Sequence, residues 1–116
     1  MADCLFCGIV AGDIPAEVVR TDERTVAFRD LNPQAPVHVL VVPKRHVVNA
    51  AADTADDGDE MAALLVAAKA VADAEGIGGA DRGYRLVFNV GPDALNSVDH
   101  LHLHVLGGRT FEWPPG

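Results

Sequence analysis

Apolar and polar residues alternate most strictly over His100-Leu101-His102-Leu103-His104-Val105-Leu106. Successive side chains of a strand point to opposite faces, so the run predicts a strand with Leu101, Leu103 and Val105 on one face and three histidines on the other. Upstream, Cys4 to Ala11 carries apolar residues at helical spacing and is closed by Gly12, which predicts a short helix. Glu17 to Arg20 and Arg24 to Arg29 flank the polar connection Thr21-Asp22-Glu23 and predict an antiparallel strand pair. The turn-rich loop Asp30 to Pro36 follows, then Val37 to Val42, a nearly continuous apolar run suited to a central strand buried on both faces and closed by Pro43. Glu60 to Glu75 is an alanine-rich helix stopped by Gly76. Its stripe of Met61, Leu64, Leu65, Ala68, Val71 and Ala72 is expected to cover one face of a sheet. A loop from Ile77 to Gly83, a strand from Tyr84 to Val90 and a turn from Gly91 to Ser97 lead back into the histidine run. The sum is a single α+β domain over residues 1–116, an antiparallel sheet of about five strands with one main helix across it.

Composition narrows the setting. With 49% hydrophobic and 22% charged residues, the chain reads as a soluble globular domain, and no stretch approaches the ~20 apolar residues of a membrane span. Met1-Ala2-Asp3-Cys4 lacks the basic start and apolar run of a secretory leader, so a cytoplasmic location is expected. A net charge of −8 argues against broad nucleic-acid binding, which needs a basic surface, but leaves room for a local site for one small anion.

The chemistry concentrates in histidines and cysteines. Alternate residues of a strand lie about 6.5–7 Å apart, so like charges on neighbouring imidazoles would push one another toward neutrality. Neutral rings keep a nitrogen able to attack, take a proton or bind metal. His38 interrupts an otherwise apolar strand and needs a partner or a function there. Cys4 and Cys7 point the same way on a helix or tight turn. They fit metal or redox chemistry, in which case histidines from elsewhere must complete the ligand set, or two small buried apolar side chains. Trp113 sits in a tail with Pro114 and Pro115, which can continue neither a helix nor a central strand.

The run His100 to Leu106 resembles the signature His-φ-His-φ-His-φ-φ of the histidine triad (HIT) superfamily of nucleotide hydrolases and transferases. The likeness extends through Ile14-Pro15-Ala16, Ala27 to Leu31, Pro33 to Pro36, His38, Pro43 to His46, Gly83-Tyr84-Arg85, Asn89, Gly107-Gly108-Arg109 and Trp113 to Gly116, which resemble the histidine triad nucleotide-binding (HINT) branch. That resemblance implies a homodimer hydrolysing purine nucleoside 5′-phosphoramidates through a covalent nucleotidyl bond to the middle histidine, His102. It implies that His104 and His38 surround the phosphate, that Asn89 and Ser97 position the phosphate and the leaving amine, and that Asp30 holds the ribose hydroxyls. Phe6, Ile14, Phe28 and Leu31 would enclose the purine, and Trp113 would reach the partner's site with the tail. Some members carry zinc on an N-terminal CxxC, the histidine after the Pro-Lys/Arg pair and the first triad histidine, and here those positions are Cys4, Cys7, His46 and His100. The sequence departs from the branch at Leu95-Asn96, where Gly-Gln is usual before the serine. The superfamily also contains dinucleoside polyphosphate hydrolases and nucleotidylyl transferases; these, and a nucleotide-binding regulatory or scaffold protein, stand as the alternative functions.

Overall fold

The computed structural model describes residues 4–116; Met1 to Asp3, on which the reading of the N-terminus partly rests, lie outside the described residues. In chain order the elements are α1 (Leu5–Ala11), β1 (Val18–Thr21), β2 (Thr25–Arg29), β3 (Val37–Pro43), α2 (Gly58–Ala74), β4 (Tyr84–Phe88) and β5 (Leu103–Gly107), with 3₁₀ turns at Asp53–Ala55 and Pro92–Ala94. The strands form one antiparallel sheet of five, ordered β1-β2-β3-β5-β4. The fold is the expected α+β arrangement, and β3, the most continuously apolar run, is its middle strand.

Local chemistry sets the helix ends. Cys4 caps α1, its sulfur accepting the Cys7 N–H at 3.3 Å, and Gly12 ends the helix at φ 83°, a conformation glycine adopts without Cβ strain. The Asp57 carboxylate accepts the Glu60 N–H at 3.1 Å, and Asp59 and Glu60 add negative charge where the α2 dipole favours it.

Two apolar layers hold the sheet. Leu64, Ala67, Ala68, Val71 and Ala72 of α2 pack on Ala27, Val39, Val41, Leu103 and Val105, while Phe6 and Ile9 of α1 pack on Val26, Phe28, Leu40 and Val42 across the other face. The expected α2 stripe needs one correction. Leu65 is 49% exposed and Ala67 is fully buried, because positions i, i+3, i+4, i+7 and i+8 counted from Leu64 meet the sheet and Leu65 lies beside that row. Arg45 ties the chain after β3 to the start of α2, donating to Glu60 Oε1 at 2.6 Å and to the Thr54 carbonyl at 2.5 Å.

The histidine strand is also shorter than its alternation suggests. Pairing of β3 with β5 runs from Val37↔Gly107 to Val41↔Leu103, so His100, Leu101 and His102 precede the strand. Pro43 is the physical reason: it would face Leu101 and has no N–H to continue the ladder. Leu101 turns instead to the loop after β3, its N–H donating to the Val47 carbonyl at 2.5 Å. The facial alternation survives, since Leu101, Leu103 and Val105 all enter the α2-side core.

Replacing Leu64, which has no exposed surface, by alanine should cost about 2–5 kcal/mol of unfolding free energy through lost burial and a residual cavity. Lys69→Ala breaks only the exposed pair with Asp73 and should stay within about 0.5 kcal/mol. Urea denaturation of both variants checks the contrast.

Candidate active site

The sheet face not covered by α2 carries a cavity of about 580 Å³ walled by α1, the β2–β3 loop, the β4–β5 loop and the strands between them. Its size suits a nucleotide-sized molecule. Of the residues expected to contact substrate, Phe6, Ile14, Phe28, Asp30, Leu31, His38, Asn89, Ser97, His102 and His104 all line it. Trp113 does not line the cavity of its own chain. It is 81% exposed with its ring 5.8 Å from the Arg85 guanidinium on β4. Leu5, Ile9, Leu40 and Val98 complete the apolar wall; sequence pattern marks them only as apolar positions of their elements, and nothing in it separates cavity wall from core.

Backbone groups decide which nitrogen of each imidazole carries its proton. His102 Nδ1 lies 2.7 Å from the His100 carbonyl, which can only accept, so the neutral ring carries its proton on Nδ1 and its bare lone pair on Nε2. His38 Nδ1 accepts the Gln34 N–H at 3.0 Å, which puts the proton of neutral His38 on Nε2, 2.8 Å from His104 Nδ1. His104 therefore accepts at Nδ1 and carries its own proton on Nε2. The Asn89 amide nitrogen stands 3.4 Å from that Nε2, so two donors converge on the cavity with no acceptor between them, an arrangement suited to an anion's oxygens.

Burial keeps this chain neutral. It lowers the pKa of His104 to about 4, with the charges His102 and His38 would carry adding to the effect and Asp30 opposing it. Burial likewise lowers His38, again against the pull of Asp30. The Asp30 carboxylate is 3.4 Å from His38 Nε2, longer than the contact to His104, so the histidine pair takes the proton; the other Asp30 oxygen accepts the Asn32 N–H at 2.8 Å.

The first triad histidine has a different role. The comb of equivalent rings expected from alternation is realised only for His102 and His104, whose centroids are 5.0 Å apart. His100 donates from Nε2 to the Pro43 carbonyl at 3.0 Å and turns Nδ1 toward Cys4 Sγ at 3.3 Å and Cys7 Sγ at 3.4 Å. His46 Nδ1 lies 3.2 Å from Cys7 Sγ. The ligand atoms of Cys4, Cys7, His46 and His100 all fall within 4.8 Å of one another. Zinc–sulfur bonds near 2.3 Å and zinc–nitrogen bonds near 2.1 Å in a tetrahedron place S and N about 3.5 Å apart, so this donor set fits zinc by chemistry and by spacing. With a metal there, the Pro43 carbonyl would supply the outer contact that fixes the His100 imidazole. Sequence reasoning identified the side chains and missed these orienting groups, the Gln34 N–H and the Pro43 and His100 carbonyls, because backbone atoms leave no signal in residue identity.

A five-stranded antiparallel sheet that presents His38, His102 and His104 to a cavity beside α1 defines the class of fold. Residues 11–111 match the HIT domain family, and the chain belongs to it. A HIT family hydrolase from Legionella pneumophila Philadelphia 1 superposes with a TM-score of 0.92 at 49% identity, covering 98% of this chain and all of the other. A zinc-bound histidine triad family protein from Mycobacterium smegmatis gives a TM-score of 0.80 at 31% identity, with 97% of this chain and 79% of that one covered. A histidine triad nucleotide-binding protein from Candida albicans gives 0.82 at 28% identity, with 97% and 83% covered. The site thus sits in the frame of the HIT family, which these hydrolase and nucleotide-binding neighbours share.

The histidine shifts make stability pH-dependent. An unfolded histidine takes up a proton near pH ~6.5, while folded His104 stays neutral down to about 4. Its contribution to stability is complete above the unfolded value and is lost as pH falls toward the folded one. The urea midpoint should therefore drop between about pH 7 and about pH 4.5, and the drop should be shallower in His104→Asn. An equal pH slope in that variant would locate the linkage elsewhere.

Proposed function

We propose that the protein hydrolyses purine nucleoside 5′-phosphoramidates through transient nucleotidylation of His102. The observation that carries this reading is the bond from His102 Nδ1 to the His100 carbonyl, because it fixes the bare lone pair on Nε2. That nitrogen attacks phosphorus. The P–N bond of the substrate breaks, its electron pair leaves on the amine nitrogen, and the amine takes up a proton relayed from water by the Ser97 hydroxyl. Water then attacks the nucleotidyl phosphorus, the P–Nε2 electron pair returns to the imidazole, and the nucleoside monophosphate departs with release of a proton. The N–H groups of His104 and Asn89 stabilise the charge that shifts onto the phosphoryl oxygens in both steps. Asp30 accepts from the ribose hydroxyls, and Phe6, Ile14, Phe28 and Leu31 enclose the purine.

Cys4, Cys7, His46 and His100 hold zinc in this reading, which would join α1 to the segment after β3 and the segment before β5. Its part is structural: it stabilises the His100 backbone that orients the nucleophile. A homodimer is supported by the exposed apolar side chains Leu65 and Val66 of α2 and Leu86 of the edge strand β4. The tail lies at the same edge, with Phe111 and Trp113 against Arg85, and from there it approaches the partner's cavity and affects the choice of leaving amine. A cytoplasmic location accords with these functions, and no helix among the described residues is long and apolar enough to cross a membrane.

Acid-quenched protein given adenosine 5′-phosphoramidate should gain the mass of one adenylyl group, and His102→Ala should neither gain it nor turn over, with a rate loss of roughly 10³-fold or more. A dinucleoside polyphosphate assayed in parallel should be the poorer substrate by kcat/KM; the reverse order would favour the polyphosphate hydrolase. Metal analysis should find close to one zinc per chain, and Cys4→Ser with Cys7→Ser, or a chelator, should remove it and lower the thermal midpoint.

A further inference from the structure

The turn between β4 and β5 combines two unusual features beside the nucleophile. Leu95 is the one non-glycine residue with positive φ among those described, at φ 59° and ψ 34°, a left-handed conformation that crowds a Cβ and is ordinarily left to glycine or asparagine. The conformation is held by the Leu95 N–H donating to the Pro92 carbonyl at 3.0 Å and the Asn96 N–H to the Gly91 carbonyl at 3.2 Å. The leucine side chain is also 86% exposed and lines the cavity, an arrangement that serves no core packing.

Sheet register shows which part of a substrate meets it. Because β3 and β5 run antiparallel with Val37 opposite Gly107 and Val41 opposite Leu103, the β2–β3 loop lies at one end of the cavity and the β4–β5 loop at the other. Asp30 and His38 belong to the first end, His104 sits opposite Leu40, and His102 lies beyond Leu103 toward the second. A nucleotide with its ribose at Asp30 and its phosphorus at His102 directs the departing group toward Leu95.

From this we propose that Leu95 determines leaving-group specificity and selects phosphoramidates of amines that carry an apolar substituent. The inference rests on the phosphoramidase reading above. A substituent reaching the turn covers an otherwise hydrated leucine, and the left-handed backbone projects that side chain into the path of the departing amine.

The test compares adenosine 5′-phosphoramidate with its N-(2-phenylethyl) derivative on the full chain and on Leu95→Gly and Leu95→Asn, both of which accept the left-handed conformation. The ratio of kcat/KM for the phenylethyl compound over the unsubstituted one should fall about tenfold in both variants, equivalent to ~1.4 kcal/mol. Thermal midpoints no lower than that of the parent chain would show that folding is intact. An unchanged ratio in well-folded Leu95→Gly overturns the assignment of Leu95 alone. A parent chain that cleaves neither compound overturns the phosphoramidase reading and this inference with it. Should Leu95→Gly fold poorly, the same ratio in Leu95→Asn decides the matter.

Discussion

One hydrogen bond, from the His102 ring to the His100 carbonyl, sets what the cavity can do. An imidazole has two nitrogens of similar basicity, and only a fixed acceptor makes one of them a dependable nucleophile. The carbonyl is free for this because His100 lies outside β5, whose pairing with β3 stops at Leu103 opposite Val41, short of Pro43, which has no N–H to offer. The same proline supplies the carbonyl that holds the His100 ring. A single residue without a donor thus ends the β3–β5 pairing and accepts from the ring of His100, whose own carbonyl orients the ring of His102.

His100 consequently faces two chemistries at once. Its ring belongs to the thiol and imidazole cluster with Cys4, Cys7 and His46, while its backbone carbonyl meets the ring of His102 in the cavity. Order at the cluster would reach the His102 ring through one residue's backbone. Arg45 and buried Glu60 reinforce the arrangement from the α2 side by fixing the loop that carries His46.

An acidic protein can still receive an anion when the local field is built from neutral donors. Burial holds His38 and His104 uncharged, and the relay from the Gln34 N–H through both rings delivers N–H groups to the cavity without placing a full positive charge there. Preorganised dipoles of this kind keep their orientation as charge moves in a reaction. Asp30 stands next to the relay and is positioned by its own short turn through the Asn32 N–H.

Much of this was legible in the chain alone, for identifiable reasons. Period-two alternation in the triad, the unbroken apolar run of β3 and the capped alanine-rich helix are properties of nearest neighbours, and they gave the α+β class, the central strand and the cavity-facing histidines. The resemblance to the HIT superfamily gave the cysteine and histidine set that the structure brings within ligand distance. Tertiary structure decided the rest. Leu65 turned outward because the sheet meets a narrower row of α2 than its apolar residues allow, and the triad separated into one ring facing the Cys4 and Cys7 thiols and two cavity-facing rings where the β3–β5 pairing ends short of Pro43. Proton placement on each imidazole was set by backbone N–H and C=O groups at Gln34, Pro43 and His100, which every residue possesses and only the folded chain can aim.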